Sequence, residues 1–190
     1  MLLLNSNIIH KPIISLQTGT RLATISKVIV DPMDLKVFAF LVNYRFKPNT
    51  QNYLMSKDIR EFGSMGAIID STDEFVTNGE VLFLDKLVKM NISLISMKVI
   101  DDKKRKVGKV TDFAMNSKDY IIEQLNVSHG FMKSISSSGL IIGRNQIIEI
   151  NDNYIIVKSP EEKIYNKKTL EDQVFVNPFA TSSSPESTDA

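Results

Sequence analysis

The sequence predicts an all-β protein: two tandem small β-barrels related by internal duplication, with a short linker helix between them and a flexible C-terminal tail. Three observations predict it. Ile14 to Val42 aligns without gaps on Val99 to Val127, 85 residues further on, and pairs Leu22 with Val107, Ile25 with Val110 and Phe40 with Leu125. After a connection three residues longer in the second copy, Leu54 to Ile69 aligns on Ile142 to Val157, 88 residues further on. Within each copy, short β-branched and aromatic runs separated by polar turns give the pattern of several strands in a small closed or half-closed barrel.

Taken in order, Arg21 to Val30 and Val37 to Tyr44 read as a hairpin. Asp31-Pro32-Met33-Asp34 breaks the run: Pro32 cannot donate a ladder hydrogen bond and Asp31 bonds to backbone amides further on. Asn116-Ser117-Lys118-Asp119 does the same in the second copy. Asn52 to Met55 and Ala67 to Asp70 read as further strands, with Ser56 to Phe62 between them as a turn or one helical turn, and the second copy repeats this as Leu140 to Gly143, Asn145 to Ile150 and Tyr154 to Lys158. Val81 to Met90, with Leu84, Leu87 and Val88 at helical spacing, reads as the joining helix. The expected organisation is a first domain over residues 1–78, a linker over 79–92, a second domain over 93–159 and a mostly disordered tail over 160–190, where Ser, Thr, Pro and charge leave little to bury.

Composition removes whole classes of function. Of 190 residues, 43% are apolar and 24% charged, enough for a packed core. Lys and Arg number 23 against 22 Asp and Glu, so the chain lacks the global positive excess of a general polyanion binder. With no cysteine and only His10 and His129, it cannot build a thiolate zinc site, a Cys nucleophile or a redox pair. Gly63-Ser64-Met65-Gly66 lacks the setting of a phosphate loop, and no Gly-x-Ser-x-Gly elbow occurs. We assign no catalytic, cofactor or metal residue and expect no enzyme. Met1-Leu2-Leu3-Leu4-Asn5 lacks the make-up of a secretory signal, and no apolar run approaches a membrane span, so the expected location is cytoplasmic.

Candidate partner-binding residues fall in three places. Lys103-Lys104-Arg105-Lys106 is a basic hairpin tip suited to phosphate or an acidic partner. Tyr44 and Phe46, and Phe131 and Met132, are apolar side chains in polar loops, as expected of anchors for a partner. Phe175 and Phe179 are isolated apolar residues of the tail, suited to a short linear motif. Asp31, Asp34, Asp101 and Asp102 are read as turn formers, and the two histidines as loop residues.

The stretch Ile9 to Ile25, with its Gly19 turn, followed by Val28-Ile29-Val30-Asp31-Pro32, resembles the PRC-barrel family. Val99 to Asp102, Val107-Gly108-Lys109-Val110 and Phe113 to Ser117 look like the same pattern, and Asp58-Ile59 and Gln146-Ile147 match its later part. Two departures stand out: Ala23 replaces the glycine that Gly108 supplies in the second copy, and the second copy lacks the Asp-Pro turn. The resemblance implies a barrel used as an adaptor rather than a catalyst, in settings that include RNA metabolism and cell division. The functional expectation is therefore a non-enzymatic adaptor or scaffold for protein–protein interactions. An RNA- or ribosome-associated assembly or maturation factor is the alternative. The sequence names neither the partner nor the oligomeric state.

Overall fold

The computed structural model describes residues 1–129, 139–151 and 153–159. The first half holds β1 (Leu2–Leu4), α1 (Asn5–Ile8), β2 (Pro12–Ser15), β3 (Arg21–Asp31), β4 (Lys36–Tyr44), β5 (Asn52–Met55), β6 (Glu61–Gly63), β7 (Gly66–Ile69), β8 (Phe75–Thr77) and α2 (Leu82–Met90). The second half holds β9 (Lys98–Asp101), β10 (Lys106–Asn116), β11 (Ile122–His129), β12 (Leu140–Gly143), β13 (Ile147–Ile150) and β14 (Tyr154–Val157).

These strands form two sheets with one topology. The first runs β6-β7-β2-β3-β4-β5-β8 and the second β13-β14-β9-β10-β11-β12, each with a single parallel contact, β2 to β7 and β9 to β14. The register repeats too. Ala23 faces Tyr44, and Gly108 faces His129; Val28 faces Phe40, and Phe113 faces Leu125. Both long hairpins carry two bulges at equivalent places, between Ile25 and Lys27 and between Ile29 and Val30 in one, Val110 and Asp112 and Ala114 and Met115 in the other. A bulge re-aims the side chains beyond it. Across the first bulge Ile25 and Val28, three residues apart, accordingly both enter the main core with Val30 and Phe40, while Ile29 and Ala39 face the other way and pack under α2 with Tyr53, Leu84 and Leu87.

The sequence alignment needs one correction. Ile13 faces Ala23 as Val99 faces Gly108, so the counterpart of Val99 is Ile13 rather than Ile14. The turn after β2 is one residue longer than the turn after β9, and a gapless alignment cannot see this. The turns still end alike. Gly19 and Lys104 both adopt a left-handed backbone, φ 66° and 62°, and Leu35 and Tyr120 do so at the far hairpin ends, φ 48° and 61°.

The expected barrels are not closed. Among the described ladders each sheet is an open path, ending at β6 and β8 in the first and at β12 and β13 in the second. A 3-10 turn, Ser56–Asp58 or Arg144–Gln146, joins β5 to β6 and β12 to β13 where extended backbone would be needed to close a ladder. The halves also differ at one edge: β8 covers the outer edge of β5, and the matching edge of β12 carries no strand among the described residues. Tyr53 of β5 is 2% exposed and its counterpart Ile141 is 60% exposed.

The two sheets meet at a reciprocal seam. Lys36 and Ile121, at equivalent positions of the two sheets, form an antiparallel bridge. Val37 N–H donates to the Tyr120 carbonyl at 2.9 Å and Ile122 N–H donates to the Leu35 carbonyl at 2.8 Å, so each bond is the other with the halves exchanged. The Tyr120 ring lies edge-on to Phe40 at 6.3 Å. Ile13, Val28 and Phe40 belong to the same apolar cluster as Phe113, Leu125 and Ile155. Each long strand further holds the segment that leads into the other half. β1 pairs with β10 and Ser6 Oγ donates to Asp112 at 2.6 Å, while α2 packs against β3 and Lys27 Nζ donates to Asn91 at 2.8 Å. Residues 1–159 form one compact unit.

Two outcomes follow. Phe40→Ala should lower stability by about 3–5 kcal/mol, and chemical denaturation followed by circular dichroism should still show one transition because the core is common. A Cβ at Gly108 would lie 1.9 Å from the Ser128 carbonyl oxygen; Gly108→Ala should therefore cost about 1–3 kcal/mol, measured the same way.

Candidate interaction site

The β4–β5 connection is built around a buried amide. Asn52 is 2% exposed, and its Nδ2 donates to the Thr50 carbonyl at 2.7 Å and the Lys47 carbonyl at 3.4 Å. Lys47 N–H closes a turn on the Tyr44 carbonyl, and Thr50 N–H closes the next on the Lys47 carbonyl, each at 3.2 Å. Gln51 Oε1 accepts from the Tyr53 hydroxyl at 3.0 Å and from Asn78 at 3.2 Å. Satisfied buried polar groups of this kind fix a loop in one conformation. On it, the half-buried Tyr44 ring stands between Phe75 at 5.0 Å and Phe46 at 5.6 Å. Phe46 is 70% exposed.

Beside this aromatic row lies a groove of about 540 Å³ whose walls include Thr24, Asn43, Tyr44, Arg45, Lys47 and Gln51. A smaller hollow of about 220 Å³ shares Thr24, Asn43 and Arg45 with it and adds Arg21 from the start of β3. No Asp or Glu lines either one. Of the loop anchors read from the sequence, Tyr44 lines the groove together with Arg45, which Arg21 joins in the side hollow, and Phe46 lines neither. The sequence reading missed these two cations, since Arg21 joins the loop only through the β3–β4 register.

The basic tip is organised differently. Asp101, 2% exposed at the end of β9, accepts from Lys103 N–H at 3.0 Å, from Arg105 N–H at 2.7 Å and from Arg105 Nε at 2.7 Å. Ser159 Oγ also donates to Asp101, at 3.3 Å, and to Asp102. Arg105 therefore serves the turn while its side chain stays 51% exposed, and Lys103, Lys104 and Lys106 are exposed beside it. Burial pushes the Asp101 carboxyl up, but the backbone and guanidinium donors of Arg105 and the Lys103 amide outweigh it and hold the group below the usual carboxylate range. Asp31 plays the expected turn role, accepting from Met33 N–H at 3.0 Å. His10 has φ 69° and donates its backbone N–H to the Ile25 carbonyl at 2.8 Å. Phe131, Met132, Phe175 and Phe179 lie outside the described residues.

Among the described residues, no three His, Cys, Asp or Glu side chains group as metal ligands, and no helix is long and apolar enough to cross a membrane. Residues 93–164 match the family model of the PRC-barrel domain. The chain carries a PRC-barrel domain. No curated protein matches the chain. The PRC-barrel match takes in β9 to β14 and the basic tip; the aromatic loop and its groove lie before it, in the half of equivalent topology.

The lowered Asp101 group gives a pH dependence with a definite sign. Its contribution to stability is complete above the ordinary Asp value near about 4 and is lost as pH falls through the lowered folded value. Asp101→Asn should flatten the fall of the thermal midpoint on acidification below about pH 4, read by circular dichroism over a pH series.

Proposed function

We propose that this chain is a non-enzymatic, cytoplasmic adaptor that joins protein partners, and that its two halves arose by duplication of one PRC-barrel-like unit. The single observation that carries the adaptor reading is the reciprocal seam at Lys36 and Ile121 with its common core. It makes the two halves one body, so surfaces on both are held at fixed separation, which is what a scaffold must supply. The duplication is supported by the shared strand order, register and bulges. The PRC-barrel match agrees with an interaction module.

The RNA or ribosome alternative rests on the tip Lys103 to Lys106 together with Lys98 and Lys109, which pair across β9 and β10. With Arg105 engaged by Asp101, the exposed lysines there are Lys98, Lys103, Lys104, Lys106 and Lys109, and 22 acidic residues offset the chain's cations elsewhere. That is modest material for a polyanion surface.

An affinity pull-down of the full chain, with and without nuclease, tests the reading. The expected outcome is a defined set of proteins retained after nuclease and retained by the K103S/K104S/K106S variant. Loss of the bound set on nuclease treatment, together with a steep decline in binding with salt, would contradict it.

A further inference from the structure

We propose that the groove beside the β4–β5 loop takes an acidic, extended segment of a partner protein. The proposal rests on the adaptor reading and names the partner chemistry at one of its surfaces. Three cations, Arg21, Arg45 and Lys47, border the groove and its side hollow, and no acidic residue lines them. Glu80 interacts electrostatically with Lys47, and its carboxylate already accepts from the Thr77 amide at 2.9 Å and the Thr77 hydroxyl at 3.0 Å. A guanidinium offers a forked pair of donors that fits a carboxylate, and two of them stand together here.

The rest of the wall suits a peptide. Thr24, Asn43, Thr50 and Gln51 bring uncharged hydrogen-bonding groups of the kind a peptide backbone needs. Phe46, 70% exposed, lies outside the wall itself but stands edge-on to Tyr44, which lines it, and so gives an apolar face next to the groove for one side chain of the ligand. An aromatic this exposed on a loop so thoroughly hydrogen-bonded costs little to immobilise on binding, as recognition surfaces require. Three border cations answer a short acidic segment, and a net charge of +1 gives no wider field to draw in a nucleic acid. Among the described residues the strand part of the wall differs between the halves: Thr24 and Asn43 are replaced by Lys109 and Ser128 at the equivalent register positions.

Fluorescence anisotropy with the full chain tests the site. The probes are a fluorescein-labelled poly-glutamate peptide carrying one Phe and one Leu, the same peptide with Gln for Glu, and an oligouridylate of similar length. We expect saturable binding of the acidic peptide and about tenfold or greater weakening both with the Gln peptide and in the R45S/K47S variant. Phe46→Ser should weaken it several-fold by removing an exposed side chain with no hydrogen bond to lose, and K103S/K104S/K106S should leave it unchanged. Circular dichroism checks that each variant is folded. No saturable binding, or equal binding by wild type, R45S/K47S and F46S, overturns the proposal. If the proteins retained in the pull-down are also retained by R45S/K47S, the groove assignment fails and the adaptor reading stands. Tighter, salt-sensitive binding of the oligouridylate at the same residues would overturn both.

Discussion

The structure depends on one contact made twice. Leu35 and Tyr120 take left-handed backbone at the ends of their hairpins, and each turns its carbonyl to an amide of the other half, on Ile122 and Val37. Two backbone hydrogen bonds contribute only about 0.5–1.5 kcal/mol each. The larger effect is what they align: Phe40, Tyr120, Leu125 and Ile122 close into one core, and fully burying a large apolar side chain is worth about 1.5–3 kcal/mol. Burial also shows in the chemistry of the seam, since it pushes the Tyr120 hydroxyl up to about 12. The hydrogen bonds set the register of the halves, and the apolar cluster supplies the stability.

Equivalent topology leaves room for different surfaces. In the first half β8 and α2 cover the β5 edge and the outer face, and Asn52 pins an aromatic loop over a cationic groove. In the second half Asp101 draws the basic run into its own turn, so a cluster of four cations in the sequence becomes a turn built on Arg105 with three lysines outside it. Under the adaptor reading this is a division of labour within one rigid body: symmetric strands hold the frame, and the unlike connections meet unlike partners.

Much of the frame was legible in the sequence because its signals are local. The 85-residue offset holds through β3 and β4 down to both bulges, and the 88-residue offset holds for β5 to β7 against β12 to β14. The helix over Leu82–Met90 lies where Leu84 and Leu87 placed it. What escaped was non-local. β1 is three residues whose partner is β10, and nothing in Leu2-Leu3-Leu4 encodes a match to Asn116, Met115 and Ala114. β6 and β8 are three-residue strands too short to show alternation. The open sheets follow from the 3-10 turns, which were read as turns without their effect on closure. At the candidate site Tyr44 and Phe46 were legible as apolar residues in a polar loop. Arg21 was not, because only the pairing of β3 with β4 brings it beside Arg45.

The central claim is that the two halves are one cooperative body held at the Lys36–Ile121 seam. Native-state hydrogen exchange across a denaturant series tests it most directly. The account predicts that the amides of Val37 and Ile122, with those of β3 and β10, exchange through one common opening whose free energy equals that of global unfolding. Exchange of one half through a separate, lower-energy opening, with the other half still protected, would contradict it.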